Sequence, residues 1–160
     1  MSPIADIISD GMTRVSWVSS ISNTAAPTTA ELNAGTALES YVTADGWDAS
    51  TETADVDNSA LNSTQNSTLA GRRTDSLTLT FKQQGKSNAP WTTFASNPSG
   101  YIVRRSGVAA STAWASSQKV TVYPVQAGFR NELAPAPNTL EKFSVAFKVT
   151  AAPVDTASVA

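Results

Sequence analysis

The sequence predicts a mainly β protein: an antiparallel β-sandwich or barrel-like body with one or two short flanking helices, a long loop and terminal arms. Three observations predict it. Apolar and polar residues alternate with a period of two in several separate stretches, the pattern of strands with one packed face. Helix signals are confined to two short segments with recognisable starts and stops. The 160 residues with 41% hydrophobic content supply one core of ordinary size.

Each element follows in order. Thr13 to Val18 alternates, with Val15 and Trp17 on one side and Arg14, Ser16 and Val18 on the other. Thr28-Thr29-Ala30-Glu31 has the form of a capping box, and Gly35 is placed to end the short helix it opens. Leu38 to Thr43 reads as a further strand. From Asp75 to Lys82 the pattern is clearest: Leu77, Leu79 and Phe81 face one way, Ser76, Thr78, Thr80 and Lys82 the other. A second helix opens at Ser87 or Asn88 with Pro90 in its first turn and sets Trp91, Phe94 and Ala95 on one face before Asn97-Pro98 stops it. That aromatic face is expected to cover an open end of the sandwich. Gly100 to Arg105, Val120 to Tyr123, and Phe143, Val145, Phe147 and Val149 against their polar neighbours complete the strands.

Residues 13–150 read as the folded domain, and three segments do not read as core: an N-terminal arm of residues 1–12, a tail of small residues 151–160, and an excursion inside the domain. Within the domain, residues 43–74 are a long polar excursion without proline. Loops of that length are usually functional or disordered. Trp47, Val56, Leu61 and Leu69 are spaced along it like anchors among five acids, and Trp is enriched where proteins touch. The excursion therefore reads as a contact arm, or else as an ordinary loop whose Trp47 folds back on its own core.

The charges are sorted along the chain. Residues 1–70 hold nine acids and one base, residues 71–160 ten bases and four acids, so the halves carry −8 and +6 and sum to −2. Such sorting suits head-to-tail contact between identical copies, unless folding interleaves the halves. Several function classes drop out. With no His and no Cys there is no Ser-His triad, no Cys-His pair, no His-bearing zinc site and no disulfide. No cofactor or metal is expected. Asp55-Val56-Asp57-Asn58-Ser59 has the start of an oxygen-ligand calcium loop, but Ala60 stands where the turn glycine belongs and Asn66 where the closing Glu does. The triplets Asn62-Ser63-Thr64 and Asn66-Ser67-Thr68 fit the glycosylation sequon but lie in a stretch that yields them by composition. No run of 18 apolar residues and no signal-peptide pattern point to a membrane or to secretion, and a pI near 5.0 without a basic stripe argues against tight nucleic-acid binding.

The order of these stretches carries a resemblance. Thr13-Arg14-Val15-Ser16-Trp17-Val18, the run from Ala26 to Thr36, Asp45-Gly46-Trp47, the polar stretch ending Gly71-Arg72-Arg73 and the Leu77-Thr78-Leu79 strand stand in the order of a known family. The run from Gly100 to Val108, the run from Val120 to Val125 and the closing run from Lys142 to Thr150 continue it. Over residues 13 to 152 the chain resembles the major tail tube proteins of long-tailed, siphovirus-type phages of actinobacteria.

The resemblance implies a non-enzymatic virion protein with a β-sandwich and a flanking helix. Its copies form hexameric rings whose sheets join into one barrel around a channel, and stacked rings make a tail tube that conducts the genome. It further implies assembly in the host cytoplasm, a tape measure protein and DNA within the lumen, and tail terminator and distal tail proteins at the ends. Candidate contacts between subunits or rings are Trp47, Asp48, Asp55, Asp57, Arg72, Arg73, Arg104 and Arg105, the arginines pairing with acids of the 43–70 segment in a neighbour. Polar Ser and Thr faces opposite Leu77, Leu79 and Phe81 suit a wet bore, and edge strands paired between copies are no longer open to aggregation. Two alternatives stand beside it. One is a carbohydrate-binding β-sandwich with Trp47, Trp91 or Trp114 as stacking platforms; the other is a tail terminator or head-completion ring of related fold.

Overall fold

A computed structural model describes residues 4–160; residues 1–3 of the expected N-terminal arm lie outside the described residues. The strands are β1 (Thr13–Val18), β2 (Thr36–Ala37), β3 (Val42–Asp57), β4 (Thr68–Lys82), β5 (Ser99–Ser106), β6 (Lys119–Glu132), β7 (Lys142–Val149) and β8 (Val154–Ser158). The helices are α1 (Thr29–Ala34) and α2 (Ala89–Thr93). All strand pairings are antiparallel, in the order β2-β1-β5-β6-β7-β4-β3, with β8 also on β6.

The long strand β6 divides this sheet into two layers. Its first half, residues 121–126, pairs with β5, and Lys119, Val120 and Val122 pair with β8. Its second half, residues 125–132, pairs with β7. One layer is therefore β2-β1-β5-β6-β8 and the other β6-β7-β4-β3. A bulge between Ala127 and Arg130 lets β6 bend from one to the other. Gly128 stands in that bulge, where a Cβ would collide with the Ala146 carbonyl oxygen.

Between the layers lies the main core, with Val15, Trp17, Leu77, Leu79, Phe81, Ile102, Phe143, Val145 and Phe147 all buried in it. The alternation places them there, since the same face of β4 and β7 supplies six of them. Helix α2 closes one end as expected: Phe94 meets Trp17 and Phe147 edge-on at 5.2 and 5.1 Å, and Trp91 meets Phe143 at 5.0 Å. Its N-cap Asn88 makes no capping hydrogen bond and donates instead to the Lys82 carbonyl at 2.9 Å.

Three expectations need correction. A one-sided sheet holds for β4 and β7, but the other layer is covered on both faces: Val18, Leu32 of α1, Val103, Trp114, Val120, Val122, Ala157 and Val159 form a second cluster outside it. Residues 151–160 are part of that cover rather than a loose tail. β8 pairs with β6, and the Ser158 and Ala160 amides donate to the Ala25 and Pro27 carbonyls. Small side chains are what permit this close docking, and Ala157 is wholly buried. Leu38 to Thr43 is not one strand: β2 ends at Ala37, a turn closes on the Leu38 carbonyl, and β3 begins at Val42.

The largest difference concerns residues 43–74. They are a long β-hairpin, with β3 and β4 paired from Trp47 opposite Leu79 to Asp57 opposite Thr68, a bulge between Thr53 and Asp55, and a turn over residues 58–67. Beyond Asp75 the hairpin leaves the body, because β7 pairs with β4 only from Ser76 to Lys82. Both faces are wet there, so no apolar alternation marks the strands. They are held by the backbone ladder and by polar cross-strand pairs, Ser50 with Ser76 at 2.7 Å and Thr51 with Asp75 at 2.6 Å.

Candidate assembly surface

The layer β6-β7-β4-β3 turns one face to the core and leaves the other uncovered. Along the uncovered face the register sets Asp48 beside Thr78 and Ala146, Ser50 beside Ser76, Lys148 and Gln126, and Thr80 beside Ser144. These are mostly short hydroxyl and amide side chains. Each follows from its place in the alternation, one residue away from a core position such as Leu77, Leu79 or Val145.

Both edges of this layer are open among the described residues. The outer edge of β3 carries no partner strand, and β6 beyond Ala127 has β7 on one side and no strand on the other, since β5 pairs only as far as Gln126. Phe129 stands at that second edge with 84% of its surface exposed. Unpaired edges of this kind template further strand pairing unless something covers them.

The hairpin arm carries exposed acids with an apolar pair near its tip. Glu52, opposite Thr74, and Asp55 and Asp57, opposite Ala70 and Thr68, are all exposed, and the register shifts between Thr53 and Asp55. Val56 and Leu69 stand opposite one another between those last two acids. The turn is organised by its own polar groups: Asp57 accepts from the Ser59 amide at 2.8 Å, and Ser59 Oγ accepts from the Ser67 amide at 2.9 Å. The Ser59 contacts hold the Asp57 carboxyl below the ordinary range.

The arginines part company. Arg72 is exposed on the arm. Arg73 is engaged within its own strand, its guanidinium 2.8 Å from Asp75. Burial pushes the Asp75 carboxyl up, but the Thr51 hydroxyl and Arg73 outweigh it and leave it below its usual value. Arg104 lies over Trp47, 5.0 Å from the ring centroid. Arg105 is wholly buried, and its guanidinium donates to the carbonyls of Ala109, Thr112 and Ala113 and to Gln118 Oε1 at 2.9 to 3.2 Å. It is a girder for the loop between β5 and β6, so the expectation that it contacts a neighbour is corrected. Successive residues of a strand face opposite ways, and two adjacent arginines cannot share a surface.

Trp47 is likewise turned inward. It meets Tyr123 edge-on at 5.7 Å and carries Arg104 on its face, closing the side of the core. The other rings offered as sugar platforms are also occupied: Arg130 lies 4.1 Å from the Trp91 centroid, and Arg14 and Arg105 each lie 4.9 Å from that of Trp114, which is buried. Of the predicted contact residues, the structure thus brings Asp55, Asp57 and Arg72 onto one exposed arm and sets Asp48 on the uncovered face of the layer. Sequence reasoning expected edge strands that pair between copies but missed which edges are open and missed Phe129, because an edge is defined by pairing and carries no composition of its own.

Among the described residues, no cluster of three acids stands close enough to hold a metal ion, and no helix is long and apolar enough to cross a membrane. What the arrangement offers is strand edges, a polar face and a projecting arm, the means of association rather than of chemistry. A comparison with curated proteins finds no match. Among solved structures, a chain of the cryo-EM structure of the anti-feeding prophage (AFP) baseplate, 6-fold symmetrised, is similar in fold. The TM-score is 0.53 with 10% identity, over 96% of this chain and 97% of that one. A family model described as phage tail tube protein matches residues 1–160, and the chain belongs to that family.

Proposed function

We propose that copies of this chain join side by side into six-membered rings and that the rings stack into a tube conducting the phage genome during ejection. The family is a structural one and not a family of enzymes. The observation that carries the reading is the four-stranded layer with a wet polar face and two open edges. Pairing the outer edge of β3 in one copy with the free stretch of β6 in the next, residues 128–132, continues the layer from subunit to subunit. Both edges are then satisfied, and Phe129 is covered. Six-fold closure is supported by the likeness in fold to the six-fold symmetrised baseplate structure.

The uncovered face then lines the bore. Ser50, Ser76, Thr78, Thr80 and Ser144 present hydroxyls, with Asp48 and Lys148 as charges of opposite sign among them. Such a surface has no continuous basic track, so phosphates are not held as DNA passes. A tape measure protein occupies the same bore before ejection. Tail terminator and distal tail proteins close the ends of a tube assembled in the host cytoplasm and carried in the virion.

Negative-stain electron microscopy of the purified protein over a concentration and salt series tests this directly. Rings of six-fold symmetry or tubes are the expected result. Single rings that never extend would favour the terminator reading. Monomers throughout, even with an initiating tail component added, would overturn the assembly reading.

A further inference from the structure

We infer that α2 and the turn after it hold the free stretch of β6 in strand form before any second copy arrives, with Arg130 as the chief positioning residue. This rests on the reading of that stretch as one half of the joint between neighbours, and adds to it what makes that half ready. A strand with a partner on one side only is the part of a sheet that opens most easily. Residues 128–132 are in that position: among the described residues β7 is their one partner strand, and the bulge after Ala127 interrupts even that ladder.

The missing support comes from the segment between β4 and β5. Asn97 Nδ2 donates to the Ala127 carbonyl at 3.2 Å, and the Ala127 amide donates to the Pro98 carbonyl at 2.9 Å, so the residue at which β5 lets go is held at both main-chain groups. Asn97 does so from a left-handed backbone conformation, φ 53°, which asparagine adopts more readily than most residues. Further along, Arg130 and Glu132 stand opposite Val145 and Phe143, which enter the core, so both side chains point to the face that α2 closes. Arg130 Nη1 donates to the Trp91 carbonyl at 2.7 Å, and its guanidinium lies over the Trp91 ring, 4.1 Å from the centroid. That ring is itself fixed edge-on against Phe143 of β7. Glu132 pairs with Lys86 at 2.7 Å and accepts from Gln83 at 3.3 Å, but both ends of the ion pair are about half exposed and it adds little. The grips fall on side chains and on Ala127, and they leave the outer edge of 128–132 without a strand beside it. A stretch already in its bound conformation loses less freedom on association, which strengthens the joint.

Hydrogen exchange below the assembling concentration, read by mass spectrometry, tests the brace apart from the ring. Arg130→Met keeps an apolar stem and removes the fork. It is expected to speed exchange across residues 128–132 by roughly tenfold while residues 77–81 and 120–125 exchange as before. The concentration at which rings form is expected to rise by a similar factor. Asn97→Gly keeps the left-handed conformation at no steric cost and leaves Arg130 in place. It is expected to loosen the same stretch from its Ala127 end and to weaken ring formation as well. Both variants exchanging like wild type across 128–132 overturns the brace, whatever the rings do. Faster exchange with ring formation unchanged overturns the positioning role. Faster exchange in the variants beside a wild type that never forms rings keeps the brace and removes the ring reading. Should Arg130→Met lose protection throughout the body, Asn97→Gly decides by the same two readings.

Discussion

At the scale of single residues, Arg105 shows how an ion can serve as scaffold. Its four hydrogen bonds gather the carbonyls of the loop between β5 and β6, and Arg14 adds a fifth contact through the Thr112 carbonyl at 2.8 Å. Stranding buried acceptors costs about 1–3 kcal/mol each where water cannot reach them. Arg105→Met is therefore expected to lower stability by about 3 kcal/mol or more in urea titration, whereas Arg72→Ala, on the exposed arm, changes it by less than about 0.5 kcal/mol. The pair Arg104-Arg105 was legible as two bases and illegible as two roles. The deciding fact, that β5 sends one toward Trp47 and the other toward Trp114, depends on which strands lie beside it. Trp47 belongs to the same lesson, since an aromatic ring among polar residues looks alike whether it meets a neighbour or closes its own core.

At the scale of elements, local chemistry was readable and distant pairing was not. The capping box of α1 forms as its spacing dictates: Thr28 Oγ1 accepts from the Glu31 amide at 3.3 Å, and Glu31 accepts from the Thr28 amide at 2.9 Å. The Ser22 hydroxyl and amide join it and, with Thr28, bring the Glu31 carboxyl down to about 2. Because the folded value lies below the unfolded one, the stabilisation is fully present above about pH 4.5 and is lost as pH falls toward 2. Glu31→Gln is expected to lower the melting temperature at pH 7, with the gap to wild type closing as pH falls through about 2 and the wild-type carboxyl takes up its proton. Thr28→Ala is expected to cost about 1 kcal/mol at any pH. The β3–β4 hairpin is the opposite case. Its outer half has no buried face, so period-two patterning stops at Ser76 while the strand runs on. Replacing residues 54–71 with a two-residue turn is expected to leave the folded body's melting temperature within a few degrees of wild type and to abolish stacking in the electron microscope.

At the scale of the whole molecule, part of the acid-rich first half of the chain stands apart from the body, Glu52, Asp55 and Asp57 being exposed on the hairpin. Exposed charges lose their reach when the Debye length shrinks from about 10 Å at 0.1 M salt to about 3 Å at 1 M. Backbone pairing between strand edges has no such sensitivity. Raising salt is accordingly expected to shorten tubes into single rings before rings fall into monomers, followed by light scattering and microscopy on the same samples. The architecture of the body adds a mechanical consequence. β6 pairs with β5 and β8 along its first half and with β7 along its second, so a single covalent strand is a member of both layers. Neither layer can slide or peel without dragging its fellow, and the monomer has no weak seam along which to yield. In the proposed tube, a load on one layer would reach the other through the covalent chain of β6, so each subunit would act as a stiff block and the joints between copies would be where the tube bends.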